Sequence, residues 1–183
     1  MVFSLRSSAT PNVRSPLQAQ RGSGIGTTCW SELIDDGMEI IRAELIHLGD
    51  AAFLFDQYRQ FYQQKSDVEG VLQFLGERIR NNESIIFLAY AEDKPVGFMQ
   101  LYPTFSSISI QRAWVLNDLF VDVDYRHSGV GSALLDAASA YEKKTNAKYL
   151  VRQTGSENFP AQRLYESKQW KKDTDLFYRF ELG

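Results

Sequence analysis

The sequence predicts an α/β domain of the α+β kind, in which helices flank one mostly antiparallel sheet. From residue 38 onward, segments rich in β-branched and aromatic residues alternate with segments whose apolar residues recur at helical spacing. Turn-forming residues at 92–95 join two strand-like segments, 84–92 and 96–102, which indicates a hairpin. The 183 residues suffice for one hydrophobic core, and we find neither an internal repeat nor a second domain boundary.

The first half of the domain adds a strand and two helices to this hairpin. The apolar, β-branched run 39–45 favours a short strand. The segment 49–64 is predicted to be helical because its aromatic residues recur every three or four positions. Asp67 is typical of a helix N-cap, and the apolar residues of 68–81 share one helical face.

The second half alternates strands with helices. A long apolar strand is expected at 113–123, followed by an amphipathic helix at 132–146. A shorter strand at 149–153 and a helix at 159–168 come next. The apolar and aromatic run 176–182 predicts a closing strand.

The first 37 residues differ from this domain in composition. Arg6, Arg14 and Arg21 are the only charged residues among 1–31, so the formal net charge of -3 divides into +3 there and -6 in the remainder. The segment 1–37 is predicted to be a disordered leader, an acid-poor organellar transit peptide, a structured extension, or an artefact preceding a true start at Met38. We expect residues 38–183 to form the domain, located in the cytoplasm, or in an organelle if the leader is a transit peptide.

Composition excludes several classes of protein and site. No run of about 18 apolar residues is present, so we expect no membrane-spanning helix and no membrane partner. A pI near 5.4 argues against a nucleic-acid partner, which would favour a basic protein. The single cysteine, Cys29, excludes an intrachain disulfide and a multi-cysteine metal site, and no metal is expected.

The most informative stretch is a predicted strand, loop and helix at 121–135, whose loop contains Gly129 and Gly131. Glycines let the backbone approach a ligand closely, and a helix N-terminus offers free N–H groups to an anion such as phosphate. Arg126 adds a permanent positive charge. The alternative is that the glycines only turn the chain. A Walker loop would need a Gly-Lys pair, and a Rossmann fingerprint would need glycine where Leu134 stands.

The pattern R-x-x-G-x-G from Arg126 to Gly131, between a strand and a helix, resembles the GNAT superfamily of acyl-CoA-dependent N-acyltransferases. The likeness runs from Met38 to the C-terminus. Residues 116–121 and 124–126 are similar to the diamine (spermidine/spermine) branch and to small yeast-type acetyltransferases that act on polyamines, histones or D-amino acids. The resemblance implies the GNAT fold, with six to seven strands splayed apart between the fourth and fifth and about four helices.

The resemblance also implies how acetyl-CoA, the cosubstrate, is bound. Its pantetheine arm would lie in the splay and pair like an extra strand with β-strand residues Leu119, Phe120 and Val121. Its pyrophosphate would be held by the loop and the first helical turn, at Arg126, His127, Ser128, Gly129, Val130, Gly131 and Ser132. Asn158, at the start of the next helix, resembles a further coenzyme A ligand. His127 is interpreted as a loop residue first and as an acid or base second.

Two further positions carry the implied chemistry. Tyr165 resembles the family's tyrosine near the thioester sulfur, and its phenol can donate a proton to the leaving thiolate; a core aromatic is the alternative. An amine with a pKa near 10 must lose a proton before attack, which costs roughly 4 kcal/mol at pH 7. The diamine branch has Glu then Asp where Asn117 and Asp118 stand. Asp118 therefore remains as base or amine anchor, with a structural role as the alternative, and Asn117 could hold a water.

One departure from the family pattern concerns stability. Gln169 stands where the family generally has glycine, so a non-glycine residue must adopt the conformation that ends the helix. The resemblance implies that the first two helices and the loop after the third strand set the choice of acceptor. The candidate residues are Phe55, Asp56, Tyr58, Tyr62, Glu69, Tyr102, Phe105 and Trp114, and the alternative is that most of them belong to the core.

The function expected from this resemblance is acetyl transfer to a small primary amine, such as a polyamine, diamine or amino acid. The amine would attack directly in a ternary complex, since the domain has no cysteine to form an acyl-enzyme. The alternatives are a protein lysine or N-terminal acetyltransferase and, from another class, a non-catalytic acyl-CoA-binding module. A homodimer is left open.

Overall fold

The computed structural model describes residues 31–34 and 37–182 of the chain. In this part the sheet has six strands in sequence order: β1 Ser31–Ile34, β2 Met38–Arg42, β3 Ile85–Ala91, β4 Lys94–Ser106, β5 Gln111–Val121 and β6 Leu150–Val151. Four α-helices accompany it: α1 Leu48–Phe61, α2 Val68–Arg80, α3 Val130–Lys144 and α4 Phe159–Ser167. Short 3-10 helices occupy Leu45–His47 and Val123–Tyr125. The predicted α/β class is confirmed.

The sheet separates two hydrophobic clusters, because successive side chains of a strand point to opposite faces. Phe87 of β3 belongs to the cluster that contains Leu134 of α3, whereas Leu88 belongs to the cluster that contains Leu54 of α1 and Leu75 of α2. The sheet is therefore covered by α3 on one face and by the helical pair α1 and α2 on the other. Asp67 caps α2 as predicted, since its Oδ1 accepts a 3.0 Å hydrogen bond from the backbone N–H of Gly70.

The splay expected in the sheet lies between β5 and β6. These are the fourth and fifth strands of the prediction, because β1 precedes the first strand that was predicted. All pairs from β1 to β5 are antiparallel, but β6 runs parallel to β5 and meets it only at Trp114↔Leu150 and Val115↔Val151. Beyond Val115, β5 continues alongside β4 to Val121, with no described strand on its other side. This leaves an opening along the C-terminal half of β5.

Two features of the sheet differ from the sequence prediction. The predicted closing strand at 176–182 is wrong: the segment forms no strand, and Phe177 and Phe180 are exposed. A two-residue β6 offers little edge for another strand, so the apolar and aromatic run at 176–182 lacks a strand to pair with. Strand β1 lies before Met38 and pairs with β2, so the sheet begins earlier than predicted. A strand of four residues is too short to show a recognisable hydrophobic period in the sequence.

The predictions for the leader fall mainly on residues 1–30, which lie outside the described residues. Among the helices that the structure describes, none combines the length and apolar character needed to cross a bilayer.

Candidate functional site

A β-bulge in β5 brings two polar side chains together at the opening. Gln100 of β4 pairs with Asp118, and Leu101 pairs with Leu116, so Asn117 is an extra residue without a partner in β4. In a regular strand the side chains at 117 and 118 would point to opposite faces. The bulge instead lets Asn117 Nδ2 donate a 3.0 Å hydrogen bond to Asp118 Oδ2.

Asp118 is a buried carboxylate, with 5% of its surface exposed. Burial raises its pKa above the ordinary value, because the charged form is poorly solvated there. Hydrogen bonds from Asn117 and the Tyr58 hydroxyl, and the positive charge of Arg152, act in the opposite direction but are outweighed. A carboxylate with a raised pKa, surrounded by donors, is suited to take a proton from an amine.

Two phenols from different elements flank this carboxylate. Burial raises the pKa of Tyr58 on α1, and the charge and hydrogen bond of Asp118 raise it further. Burial and then the charge of Asp118 raise the pKa of Tyr102 on β4 to about 12. Both hydroxyls therefore remain protonated at neutral pH. The Tyr58 ring also packs edge-on against Phe98 at 5.7 Å and Tyr62 at 5.1 Å, which holds it over the sheet.

A polar row continues beneath Asp118 into the sheet. Gln100 lies opposite Asp118 in the register, and cross-strand partners of this kind share one face of the sheet. Its side chain is fully buried, and its Nε2 donates a 2.8 Å hydrogen bond to Ser84 Oγ. Its Oε1 has no hydrogen-bond partner among the described residues, so an unused acceptor lies in the row next to Asp118.

Other residues expected to line the acceptor pocket have structural roles or lie at the surface. Trp114 is 4% exposed, and its Nε1 donates a 3.0 Å hydrogen bond to Thr145 Oγ1 on the α3 face. Asp56 is buried and accepts hydrogen bonds from the turn that precedes α2. Phe55 packs against Phe98 at 5.5 Å between their ring centres, so it belongs to the core under α1.

Two of the expected pocket residues lie at the surface. Phe105 is exposed, and the Arg112 guanidinium stacks on its ring at 5.1 Å. Glu69 lies exposed in the first turn of α2.

Arg152 follows β6 directly and bridges the two strands across the opening. Its Nη1 donates to the carbonyl oxygens of Asn117 and Leu116, the latter at 3.1 Å. Its Nε donates a 3.3 Å hydrogen bond to the Tyr165 hydroxyl. Sequence reasoning missed Arg152; the available signal was a charged residue inside the otherwise strand-like segment 149–153.

Tyr165 reaches the bulge from α4. It is 8% exposed, and its ring packs against Trp170 at 5.7 Å. Because a guanidinium can only donate, the Tyr165 oxygen must be the acceptor in its bond with Arg152. The phenol hydrogen is therefore left available for another acceptor. One guanidinium thus separates Tyr165 from the backbone of Asn117.

The loop before α3 has the backbone geometry of an anion site. His127 has φ +65° and Gly129 has φ +90°, both in the left-handed region. α3 begins directly after them at Val130, so the N–H groups of its first turn have no partner within the helix. Successive free N–H groups at a helix start form a concave site for phosphate. Ser128 Oγ donates to the carbonyl of Tyr125 at 2.6 Å, which braces the loop.

Gly131 connects this loop to the helix that carries Tyr165. A Cβ at this position would lie 3.1 Å from Leu164 Cδ2 of α4, which is tighter than an ordinary contact. The missing side chain therefore lets α3 and α4 approach closely. Asn158 begins α4, and its Oδ1 accepts a 3.3 Å hydrogen bond from the backbone N–H of Ala161. Its structural role is thus an N-cap, which leaves its amide nitrogen available to a ligand.

Arg126 lies at the end of the opening. Its Nε donates a 3.1 Å hydrogen bond to the carbonyl oxygen of Val121, and its guanidinium lies 5.5 Å above the Phe61 ring. The backbone N–H and C=O groups of successive residues in a strand point to opposite sides. Those of Leu119 and Val121, two residues apart, therefore point to the same side. Phe120 instead contributes its ring to the Tyr58 cluster at 6.2 Å. Arg126, Leu119 and Val121 thus border the opening, whereas the Phe120 ring packs on the face of the sheet that α1 covers. No group of three His, Cys, Asp or Glu in the described part is placed to hold a metal ion.

Comparison with known proteins adds independent findings. Residues 50–169 match the sequence profile of the acetyltransferase (GNAT) family. A protein of Bacillus subtilis (strain 168), called an uncharacterized N-acetyltransferase, is 44% identical over 141 residues, covering 77% of this chain and 95% of its own length. A probable acetyltransferase of Haemophilus influenzae is 35% identical over 141 residues, covering 70% of this chain and 97% of its own. The crystal structure of a probable acetyltransferase matches with a TM-score of 0.75 and 39% identity, over 79% of this chain and 97% of that one.

Proposed function

The chain belongs to the acetyltransferase (GNAT) family, and from this membership we propose that it transfers an acetyl group from acetyl-CoA to a small primary amine. Acetyl-CoA is the family's cosubstrate. The observation that carries the proposal for the acceptor is the buried carboxylate of Asp118, held between the Tyr58 hydroxyl and Asn117. A polyamine, a diamine or an amino acid fits this site, because each presents a compact amine.

The proposed coenzyme site runs from the opening to the start of α3. The N–H groups of residues 127–132 hold the pyrophosphate. The Arg126 side chain gives up its hydrogen bond to the Val121 carbonyl, and its positive charge then contacts the phosphates. The pantetheine arm lies along Leu119 and Val121, where the sheet lacks a described partner strand. This places the thioester beside the bulge, between Asp118 and Tyr165.

Transfer then proceeds by direct attack in a ternary complex. Asp118 accepts a proton from the acceptor ammonium, either directly or through a water held by Asn117. The neutral nitrogen attacks the thioester carbonyl, a C–N bond forms, and the C–S bond breaks. Tyr165 donates its phenol proton to the departing thiolate, and the amide nitrogen loses its second proton to solvent.

Burial at the site favours a small acceptor over a protein. Asp118 is 5% exposed, and the phenol of Tyr58 packs over it, so an acceptor must reach in past aromatic side chains. The net charge of -6 outside the first 31 residues also suits a cationic acceptor. A flexible lysine side chain could reach the same carboxylate, which keeps protein acetylation as the second candidate.

The experiment is a CoA-release assay with acetyl-CoA and a panel of acceptors: spermidine, short diamines, single amino acids, a lysine peptide and a peptide with a free N-terminus. We expect kcat/KM to be at least tenfold higher for a small amine than for either peptide. Higher values for a peptide would favour the protein acetyltransferase. CoA binding without release across the whole panel would contradict catalysis and support the acyl-CoA-binding module.

A further inference from the structure

The guanidinium of Arg152 occupies a place that the reaction as proposed does not use. It links the Tyr165 hydroxyl to the backbone of β5, and it is only partly buried. Its Nη1 is fixed by the carbonyl oxygens of Leu116 and Asn117. Because the bulge fixes those carbonyls, the position of Nε is set by the sheet and not by α4.

We propose that Arg152 is a positioning residue that directs the phenol hydrogen of Tyr165 toward the departing thiolate. This inference rests on the proposed function. A phenol oxygen can donate one hydrogen bond and accept others, and its hydrogen rotates to suit its partners. By donating from Nε, Arg152 occupies the acceptor side of the oxygen, so the hydrogen turns away from the guanidinium.

The remaining directions around the Tyr165 oxygen are limited by packing. Its ring lies between the core beneath α3 and Trp170, where no described side chain accepts from the hydroxyl. The opening between β5 and β6 is the direction in which an acceptor can be supplied by a ligand. Arg152 thus acts through Tyr165 and does not itself exchange a proton, since a guanidinium remains charged at any working pH.

The discriminating substitution is Arg152→Lys. Lysine keeps the positive charge near Asp118 and can still reach a backbone carbonyl, but it has no second nitrogen to donate to Tyr165 at the same time. Arg163→Lys is the matched control, because Arg163 lies exposed on α4 two residues before Tyr165. Circular dichroism melts of each variant report whether the fold is retained.

The test is a double-mutant cycle on kcat with Arg152→Lys and Tyr165→Phe, using the amine that the acceptor panel identifies. We expect Arg152→Lys alone to lower kcat about tenfold with little change in KM, since proton donation loses its alignment. In the Tyr165→Phe background the same substitution should cost less than twofold, because there is no phenol hydrogen left to direct. An equal loss in both backgrounds would overturn the inference, and so would an unchanged kcat in Arg152→Lys. Neither result would affect acetyl transfer itself, which the wild-type rate on that amine establishes.

Discussion

Asn117 and Asp118 are consecutive residues of one strand whose side chains hydrogen-bond to each other at 3.0 Å. Only the bulge in β5 makes this contact reachable, because it removes the alternation that would place the two side chains on opposite faces. The contact fixes one carboxylate oxygen and leaves the rest of the group to Tyr58 and to a ligand. The Asn117 amide thus steadies one oxygen of a buried carboxylate.

Burial of Asp118 has a consequence for stability that depends on pH. Its pKa in the folded protein is raised above the ordinary value of 3.8, so the folded state binds this proton more readily than the unfolded state. The free energy of unfolding therefore falls as pH rises from about 4 through the raised pKa. Above that pKa, the full cost of burying the charged carboxylate is present. We expect Asp118→Asn to raise Tm at pH 8 by about 2–4 °C for each kcal/mol of this cost. Thermal melts from pH 4 to pH 8 should show the gain disappearing at the acidic end.

Removing the phenol oxygen of Tyr165 should reduce turnover and leave coenzyme binding intact. Tyr165→Phe keeps the ring that packs on Trp170 at 5.7 Å, so the core is retained. We expect kcat to fall about 10²-fold, the scale of general-acid catalysis, with KM for acetyl-CoA within twofold of wild type. The control is Tyr178→Phe, at an 83% exposed tyrosine outside the site. Steady-state kinetics that left kcat unchanged in Tyr165→Phe would rule out the acid role.

The conformation of Gly129 should matter for acetyl-CoA binding. Its φ of +90° is strained for any residue with a side chain, although a Cβ there would touch nothing within 4 Å. Gly129→Ala should therefore cost about 1–2 kcal/mol through the backbone alone and shift the N–H groups proposed to hold the phosphates. We expect KM for acetyl-CoA to rise on the order of tenfold. Gly155→Ala, which has no positive φ and equally open space, should leave KM unchanged.

Gln169 ends α4 in the conformation that the family pattern assigns to glycine. Its φ is +63°, and its backbone N–H bonds to the Glu166 carbonyl at 3.0 Å. Gln169→Gly should relieve about 1 kcal/mol of strain and raise Tm by about 2–4 °C, with kcat unchanged. Gln169→Ala retains the strained backbone and serves as the control. A Tm for Gln169→Gly at or below that of Gln169→Ala would contradict this explanation.

Local signals explain what the sequence predicted correctly. The cap at Asp67 and the glycine at 129 depend on nearby backbone geometry, which residue type restricts strongly. The structure places the left-handed residues His127 and Gly129 in the loop where glycine freedom predicted an anion site. The departure at Gln169 was also evident from one residue type, and its positive φ is confirmed.

What the sequence did not predict depends on contacts between distant segments. The bulge at Asn117 depends on the register between β5 and β4, and no single residue type predicts it. Arg152 reaches Asn117 across 35 positions of sequence, so its role emerges only once β6 lies beside β5. The run 176–182 has the apolar and aromatic composition of a strand but forms none, since such a composition gives a strand only where a sheet edge is available to pair.

The measurement that tests the central claim most directly is the pH dependence of kcat/KM for wild type and Asp118→Asn on the same amine. With Asp118 present, we expect the wild-type rate to level off once the carboxylate is ionised. Without it, only amine that solvent has already deprotonated can react, so kcat/KM at pH 7 should fall about 10²–10⁴-fold. The deficit should shrink as pH approaches about 10, the pKa of the amine. Parallel profiles, or a variant within twofold of wild type at pH 7, would show that Asp118 does not take the proton.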